Sequence, residues 1–213
     1  MRKGVRAAAP LCPAVLALGA SFGVLARAAR VDAVAATVMS ATTFAGSAQV
    51  ASVSVLGAGG GVAAAVVAAL LLNARYAPIG IIVAQSFRGH VARRLAEAKL
   101  VVDESWALAG GGTKHFDRRM LLGAGATLWV GWVGGTAIGA FAGRAIGNPS
   151  SFGLDGAFAA LFLALVTAQV GGRRELIAAA GGAAIAAVLT PFAPPGVPIV
   201  AATAAVLTGW RRA

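Results

Sequence analysis

Few side chains in this sequence could bind or move a charged solute, and those few sit in apolar surroundings. Arg75 is the most informative. A guanidinium near the middle of an apolar run costs on the order of 3 kcal/mol to hold in hydrocarbon, so it must face the protein interior and find an anion there. That anion is either a structural carboxylate on another helix or the carboxylate of a substrate. Asn73 lies two positions away, about 200° round a regular helix. Pro78 changes that geometry: it has no N–H for the carbonyl of Ala74, and its ring crowds the same group. A kink or unwound turn over residues 73–75 is expected, bringing an amide, a cation and a freed carbonyl together as a site for a carboxylate.

A second polar group lies in residues 39–49, where Ser40, Thr42, Thr43, Ser47 and Gln49 interrupt a long uncharged run. Thr42, Gly46 and Gln49 share one helical face, and Ser40, Phe44 and Ser47 another. If Gly46 marks a break between two half-helices, the second half presents free N–H groups and a positive dipole end, with Ser47 and Gln49 beside them as candidate ligands for a carboxylate. The alternative is a small-residue packing face. Three carboxylates complete the set. Asp155 opens an apolar run, where it either caps a helix, pairs with Arg75 or carries a proton. Asp103 and Glu104 either cap the helix that follows or line a mouth and attract a substrate ammonium.

Catalytic signatures are missing from the sequence: it has no H-E-x-x-H, no G-x-S-x-G and no P-loop. His90 and His115 lie in basic loops, and the glycine runs at 57–61 and 110–112 lack a strand-to-helix context. Cys12 is the single cysteine, so it forms neither an intramolecular disulfide nor a cysteine metal cluster. No enzyme activity, cofactor or metal is expected.

The elements that must position these residues are membrane helices. The 213 residues are 59% hydrophobic and 12% charged, with mean hydropathy +0.83, too little charge to cover a water-soluble globule. A span needs about 20 residues, so the chain holds six or seven, in a single transmembrane domain over residues 1–213. The net charge of +11 comes in short groups between apolar runs, a pattern of topology signals and lipid headgroup contacts and not of nucleic-acid binding. Residues 7–26 are either a signal peptide or a retained first helix entered through Pro10 and Pro13, and their length favours the helix. Further crossings are expected at 62–85, 120–142, 154–170, 176–192 and 197–210. Residues 88–99 suit an amphipathic surface helix, and 100–113 are too short to span, which leaves a re-entrant turn or a helix lying on the bundle. Gly131, Gly135, Gly139, Gly143 and Gly147 recur every fourth position and form a groove for a neighbouring helix or a partner subunit.

Charge decides how residues 33–56 are read. If they enter and return to the same side, the basic groups at 2–6, 88–99, 114–119, 173–174 and 211–212 share the cytoplasm with both termini, as the positive-inside rule favours. If they cross fully, as in seven plain spans, the group at 88–99 falls outside. An all-α integral membrane protein with a broken or re-entrant second element is therefore expected.

With these residues laid out, the sequence resembles the AzlC family of branched-chain amino acid permeases. The likeness is carried by residues 13–23, the Phe-Ala-Gly-Ser-Ala-Gln run at 44–49, Asn73 with Arg75, the Asp103 and Glu104 pair, and Gly153-Leu154-Asp155 followed by residues 160–162. One departure is visible at 156–159, where Gly-Ala-Phe-Ala stands in place of a bulky aromatic and a proline. The resemblance implies export of leucine, isoleucine, valine and related apolar amino acids across a plasma membrane (the inner membrane, in bacteria), with a small AzlD-type membrane subunit as partner. On that reading Arg75, Asn73, Ser47 and Gln49 hold the carboxylate, while Asp155 or the Asp103 and Glu104 pair meets the ammonium or carries a coupling proton. The rival reading is an accessory membrane subunit without a substrate site.

Overall fold

The computed structural model describes residues 1–74, 76–110, 116–142, 163, 167, 170–193 and 197–208. The described residues are helical, with no strand among them. Among the described residues two helices are long and apolar enough to cross a membrane, Arg2–Ala28 and Arg118–Ala142, and a bent pair makes a third if it counts as one span.

The first span is built from α1 (Arg2–Ala8), a 3-10 turn at Ala9–Leu11 and α2 (Cys12–Ala28). Pro10 and Pro13 lack the N–H groups that would bond the carbonyls of Arg6 and Ala9, so the helix tightens there and continues. The basic flank expected to precede the helix is thus its first turn. At the far end Arg30 takes a left-handed φ of 64°, and Val31 N–H donates to Ala26 O at 2.9 Å, which closes the helix.

Asp32 then starts α3 (Ala33–Thr43) by accepting the Val34 N–H at 2.8 Å. That hydrogen bond is the largest influence holding its carboxyl below the usual range. The chain breaks at Phe44 and Ala45 and resumes as α4 (Gly46–Gly57). A Cβ on Gly57 would lie 3.2 Å from that of Ala29, so α4 ends beside the point where α3 began. Residues 33–57 therefore form a helical hairpin whose two ends lie together at the Asp32 end. Gly59, at φ 83°, supplies the left-handed residue that ends α4.

From there α5 (Val62–Asn73) runs back antiparallel to α4, with the Ser52 hydroxyl 3.2 Å from Ala65 O. It is followed by α6 (Tyr76–Ala84), bent from it by 56°. Val83 and Phe87 pack against Leu121 and Leu122, so this broken element finishes at the opposite, Met1 end. There the chain forms α7 (Val91–Ala98), the amphipathic surface helix expected at 88–99, and the short α8 (Asp103–Leu108). The turn between them dips inward. Leu100 O presses on Gly125, Val102 joins the same core as Phe44 and Leu128, and the Asp117 N–H bonds Ala109 O at 3.0 Å on the way out. Residues 99–110 thus form a turn that dips into the core from the Met1 end.

The long α9 (Arg118–Ala142) is the axis of the molecule, running parallel to α1 and α2 and touching α3 and α8. Its glycines make the contact backbone to backbone. A Cβ on Gly135 would lie 2.1 Å from Leu16 O, and one on Gly139 1.9 Å from Ala20 O; Gly19 and Gly23 answer from α2 against Trp132 and Thr136. The glycine groove thus serves a neighbouring helix at Gly131, Gly135 and Gly139, while Gly143 and Gly147 lie outside the described residues.

The run at 176–192 forms α10 (Arg173–Leu189). The crossing expected at 197–210 is instead α11 (Val197–Ala202) followed by a 3-10 segment at Thr203–Thr208, where the Thr203 hydroxyl bonds Val200 O at 2.6 Å. The crossing expected at 154–170 falls almost wholly outside the described residues.

Candidate substrate site at the paired helix breaks

The break between α3 and α4 comes from its residues. Thr37 and Thr42 turn their hydroxyls back to Ala33 O at 2.8 Å and Val38 O at 2.7 Å, bonds that weaken a helix ladder. Phe44 then adopts φ 45°, a conformation a bulky residue takes only when its surroundings impose it. Gly46, expected as the hinge, is instead the first residue of α4 and not left-handed. It is glycine because a Cβ there would sit 3.0 Å from the indole ring of Trp132.

That indole is one of four side chains that close around the break. Trp132 Nε1–H donates to Gln49 Oε1 at 3.1 Å, and the Ala45 N–H donates to the same oxygen at 3.2 Å. Gln49 Nε2 donates to Ser40 Oγ at 3.0 Å. Ser40 Oγ lies 2.8 Å from Thr136 Oγ1, whose own hydrogen goes to Trp132 O at 2.9 Å. With one hydrogen on each hydroxyl, Ser40 must donate to Thr136, and the chain of donors has one consistent direction. Gln49, Ser40 and Thr136 have no exposed surface, so this clasp is buried and its bonds are strong in their low-dielectric setting. Trp129, three positions before Trp132, ties on the same hairpin by donating to Ala41 O at 3.1 Å. Phe22 stacks on Trp132, with centroids 5.9 Å apart.

The clasp assigns the predicted residues to different places. Both lone pairs of Gln49 Oε1 are used, so Gln49 holds the break in shape while Ser47 sits half-buried in the first turn of α4. The N-cap residue of α4, Ala45, supplies no side-chain cap, and the first turn of α4 opens at the break.

The second break lies between Asn73 and Tyr76, where Pro78 was expected to place it. Ala74 O is not freed, however: it accepts the Ala77 N–H at 3.0 Å in a tighter turn. The register set by Ser52 against Ala65 brings Asn73, the last residue of α5, to the level of the Phe44 break. Its Oδ1 is buried and has no hydrogen-bond partner among the described residues. Arg75 and Asp155 lie outside the described residues. Asp103, half-buried, and Glu104, exposed, occupy the first turn of α8 at the inner end of the 99–110 turn. The Ser105 hydroxyl closes that turn by accepting the Val102 N–H at 3.0 Å.

Trp129, Trp132 and Thr136 have no part in the sequence reading, which sees only the glycines of this helix. Their signal is a spacing of three and four positions, which stacks two indoles and a hydroxyl on one face. At the Met1 end Glu97, which is buried, accepts from Arg93 Nε at 3.0 Å and from Arg118. The Arg118 hydrogen bond is the main cause that holds its carboxyl below the usual range. Lys99 places its ammonium 4.7 Å from the centre of the Trp129 ring.

A family model described as AzlC protein matches residues 10–146, a stretch that holds α2 of the first span, both breaks and α9. The chain belongs to the AzlC family. It is also 30% identical over 212 residues to an uncharacterized membrane protein of Archaeoglobus fulgidus, a match covering 98% of this chain and 94% of that one. No solved structure matches. The AzlC match ends before Asp155, so the clasp and both breaks fall within the matched stretch while that carboxylate does not.

Proposed function

We propose that this AzlC protein exports branched-chain and related apolar amino acids across the plasma membrane, as the large subunit of a two-component transporter whose small subunit is an AzlD-type membrane protein. The observation that carries the reading is the pair of helix breaks at one depth, one at the start of α4, where Ala45 supplies no side-chain cap, and the other at Asn73, whose Oδ1 has no hydrogen-bond partner among the described residues. Discontinuous helices meeting inside the membrane are the usual way a transporter exposes main-chain groups to a polar substrate. The start of α4, Ser47, Asn73 and Arg75 hold the carboxylate, Gln49 keeps the first break in place, and small apolar residues accept the side chain. Asp155, or Asp103 with Glu104, meets the ammonium or carries a coupling proton. The whole chain makes six to seven spans with both termini in the cytoplasm, and the work is transport without covalent chemistry.

Efflux of labelled leucine from loaded proteoliposomes, with and without the co-purified small subunit, tests this. Saturable efflux that requires both chains is the expected result. Arg75→Ala is expected to abolish efflux while the protein still inserts. Normal efflux from that variant removes the carboxylate site, and loss of the complex with unchanged flux would instead mark an accessory subunit.

A further inference from the structure

The turn from α7 into α8 presents a cation to the helical hairpin through a single aromatic ring. Lys99 ends α7 half-buried, and its ammonium rests 4.7 Å from the centre of Trp129. The indole N–H of Trp129 is bound to Ala41 O at 3.1 Å, in the last turn of α3 before the Phe44 break. Lys99 is therefore one indole away from the break, on the side that faces the Met1 end. Its backbone cannot withdraw without disturbing the next residue, because Leu100 O lies where a Cβ on Gly125 would be, 2.2 Å away.

Among the described residues no carboxylate pairs with the ammonium. The nearest acidic residue in sequence, Glu97, is already taken by Arg93 and Arg118. A cation over an aromatic face in a half-buried setting is held more weakly than one bonded to a carboxylate, so an arriving carboxylate gains more than the ring loses.

We infer that Lys99 and Trp129 form an access site for the carboxylate of the solute on the Met1 side, where Lys99 leaves the indole to bind the carboxylate before it reaches the helix breaks. This deepens the reading of the breaks as a carboxylate site and rests on it. The ligand class is a carboxylate with a small apolar body, and the ammonium of an amino acid is not required for this first contact.

Tryptophan emission of the purified, detergent-solubilised protein reads the step directly, because the ring loses its cation when Lys99 moves. The probes are L-leucine, isovalerate, which has the carboxylate without the amine, and L-leucinamide, which has the amine without the carboxylate. Leucine and isovalerate are expected to change the emission saturably and leucinamide to leave it unchanged. Trp129→Phe should remove the response, and so should Lys99→Met, which keeps the apolar stem but leaves the ring no cation to lose, while Lys99→Arg should restore it in part. An undiminished response in Lys99→Met overturns the inference, as does an equal response to leucinamide, or no response to either carboxylate at about 10 mM in folded protein. Leucine efflux without any carboxylate response would sink this access site alone. A carboxylate response without leucine efflux would keep the site and sink the exporter reading.

Discussion

Gln49 is a single amide on which three elements close. Its oxygen takes the Trp132 indole and the main chain of the break itself, and its nitrogen orients Ser40 toward Thr136. Gln49→Leu keeps the volume and removes the three bonds that Gln49 itself makes, which leaves the Trp132 Nε1–H and the Ala45 N–H buried without an acceptor. Each such group costs about 1–3 kcal/mol, toward the lower figure in a membrane. Ser40→Ala strands only the Gln49 Nε2 donor, because Thr136 still has Trp132 O to bond. Thermal unfolding in detergent should therefore fall in the order wild type, Ser40→Ala, Gln49→Leu, with about 2 kcal/mol lost in the last. Equal midpoints for the two variants would mean that the clasp does not hold the break. Much of this site is legible at the residue scale only as composition. Small polar residues in an apolar run announce that they need partners, but Trp132 and Thr136 come from a helix that starts far along the chain. Gly46 shows the same limit: the sequence marks a glycine at the break, and only the approach of the indole explains why it must be one.

The breaks themselves are more readable, because each follows from local chemistry. Pro78 removes a bond and clashes one turn back, and the chain does separate α5 from α6 there. The hairpin course of residues 33–57 agrees with the re-entrant reading, which comes from bookkeeping of charge on distant loops and not from the segment itself. Its geometry offers a direct check. Ala29 and Gly57 stand at the two mouths of the hairpin, with a Cβ on Gly57 3.2 Å from that of Ala29. Disulfides usually need a Cβ separation of about 3.5–4.5 Å, within small backbone adjustment of this one. Ala29→Cys with Gly57→Cys, in a Cys12→Ser background, should cross-link on mild oxidation in native membranes, seen as a fragment-retaining band after cleavage between the two positions. A segment that crossed fully would hold those cysteines about 30 Å apart, the width of the hydrocarbon core, and no cross-link would form. The inward dip of residues 99–110 is harder to read. Val101 and Val102 are apolar enough to enter the core, but it is Gly125 on α9 that gives the backbone of Leu100, just before them, the room to approach.

At the scale of the whole molecule, the packing of α9 along the first span fixes which groups share an end. Met1 lies against Gly123, Glu97 pairs with Arg118, and Phe87 packs on Leu121 and Leu122. The basic groups at 2–6, 88–99 and 118–119 therefore gather at one end, while Arg27, Arg30 and Asp32 mark the other. The proposed function places the Met1 end in the cytoplasm, the side that the positive-inside rule favours for these groups. Single-cysteine variants in a Cys12→Ser background test this arrangement with two exposed positions, Ala58→Cys in the turn after α4 and Arg94→Cys on α7. In intact cells a membrane-impermeant maleimide should label Ala58→Cys and leave Arg94→Cys unlabelled until the membrane is opened. Seven plain spans with a cytoplasmic Met1 end would reverse both results together, since a full crossing by residues 33–57 moves every later loop to the opposite side. An inverted protein with the same fold would also reverse them, and the Ala29 and Gly57 cross-link separates these two cases: it forms in the inverted re-entrant protein and fails in seven spans. Re-entrance and orientation are thus measured independently, and the location of the Lys99 access site follows from the second.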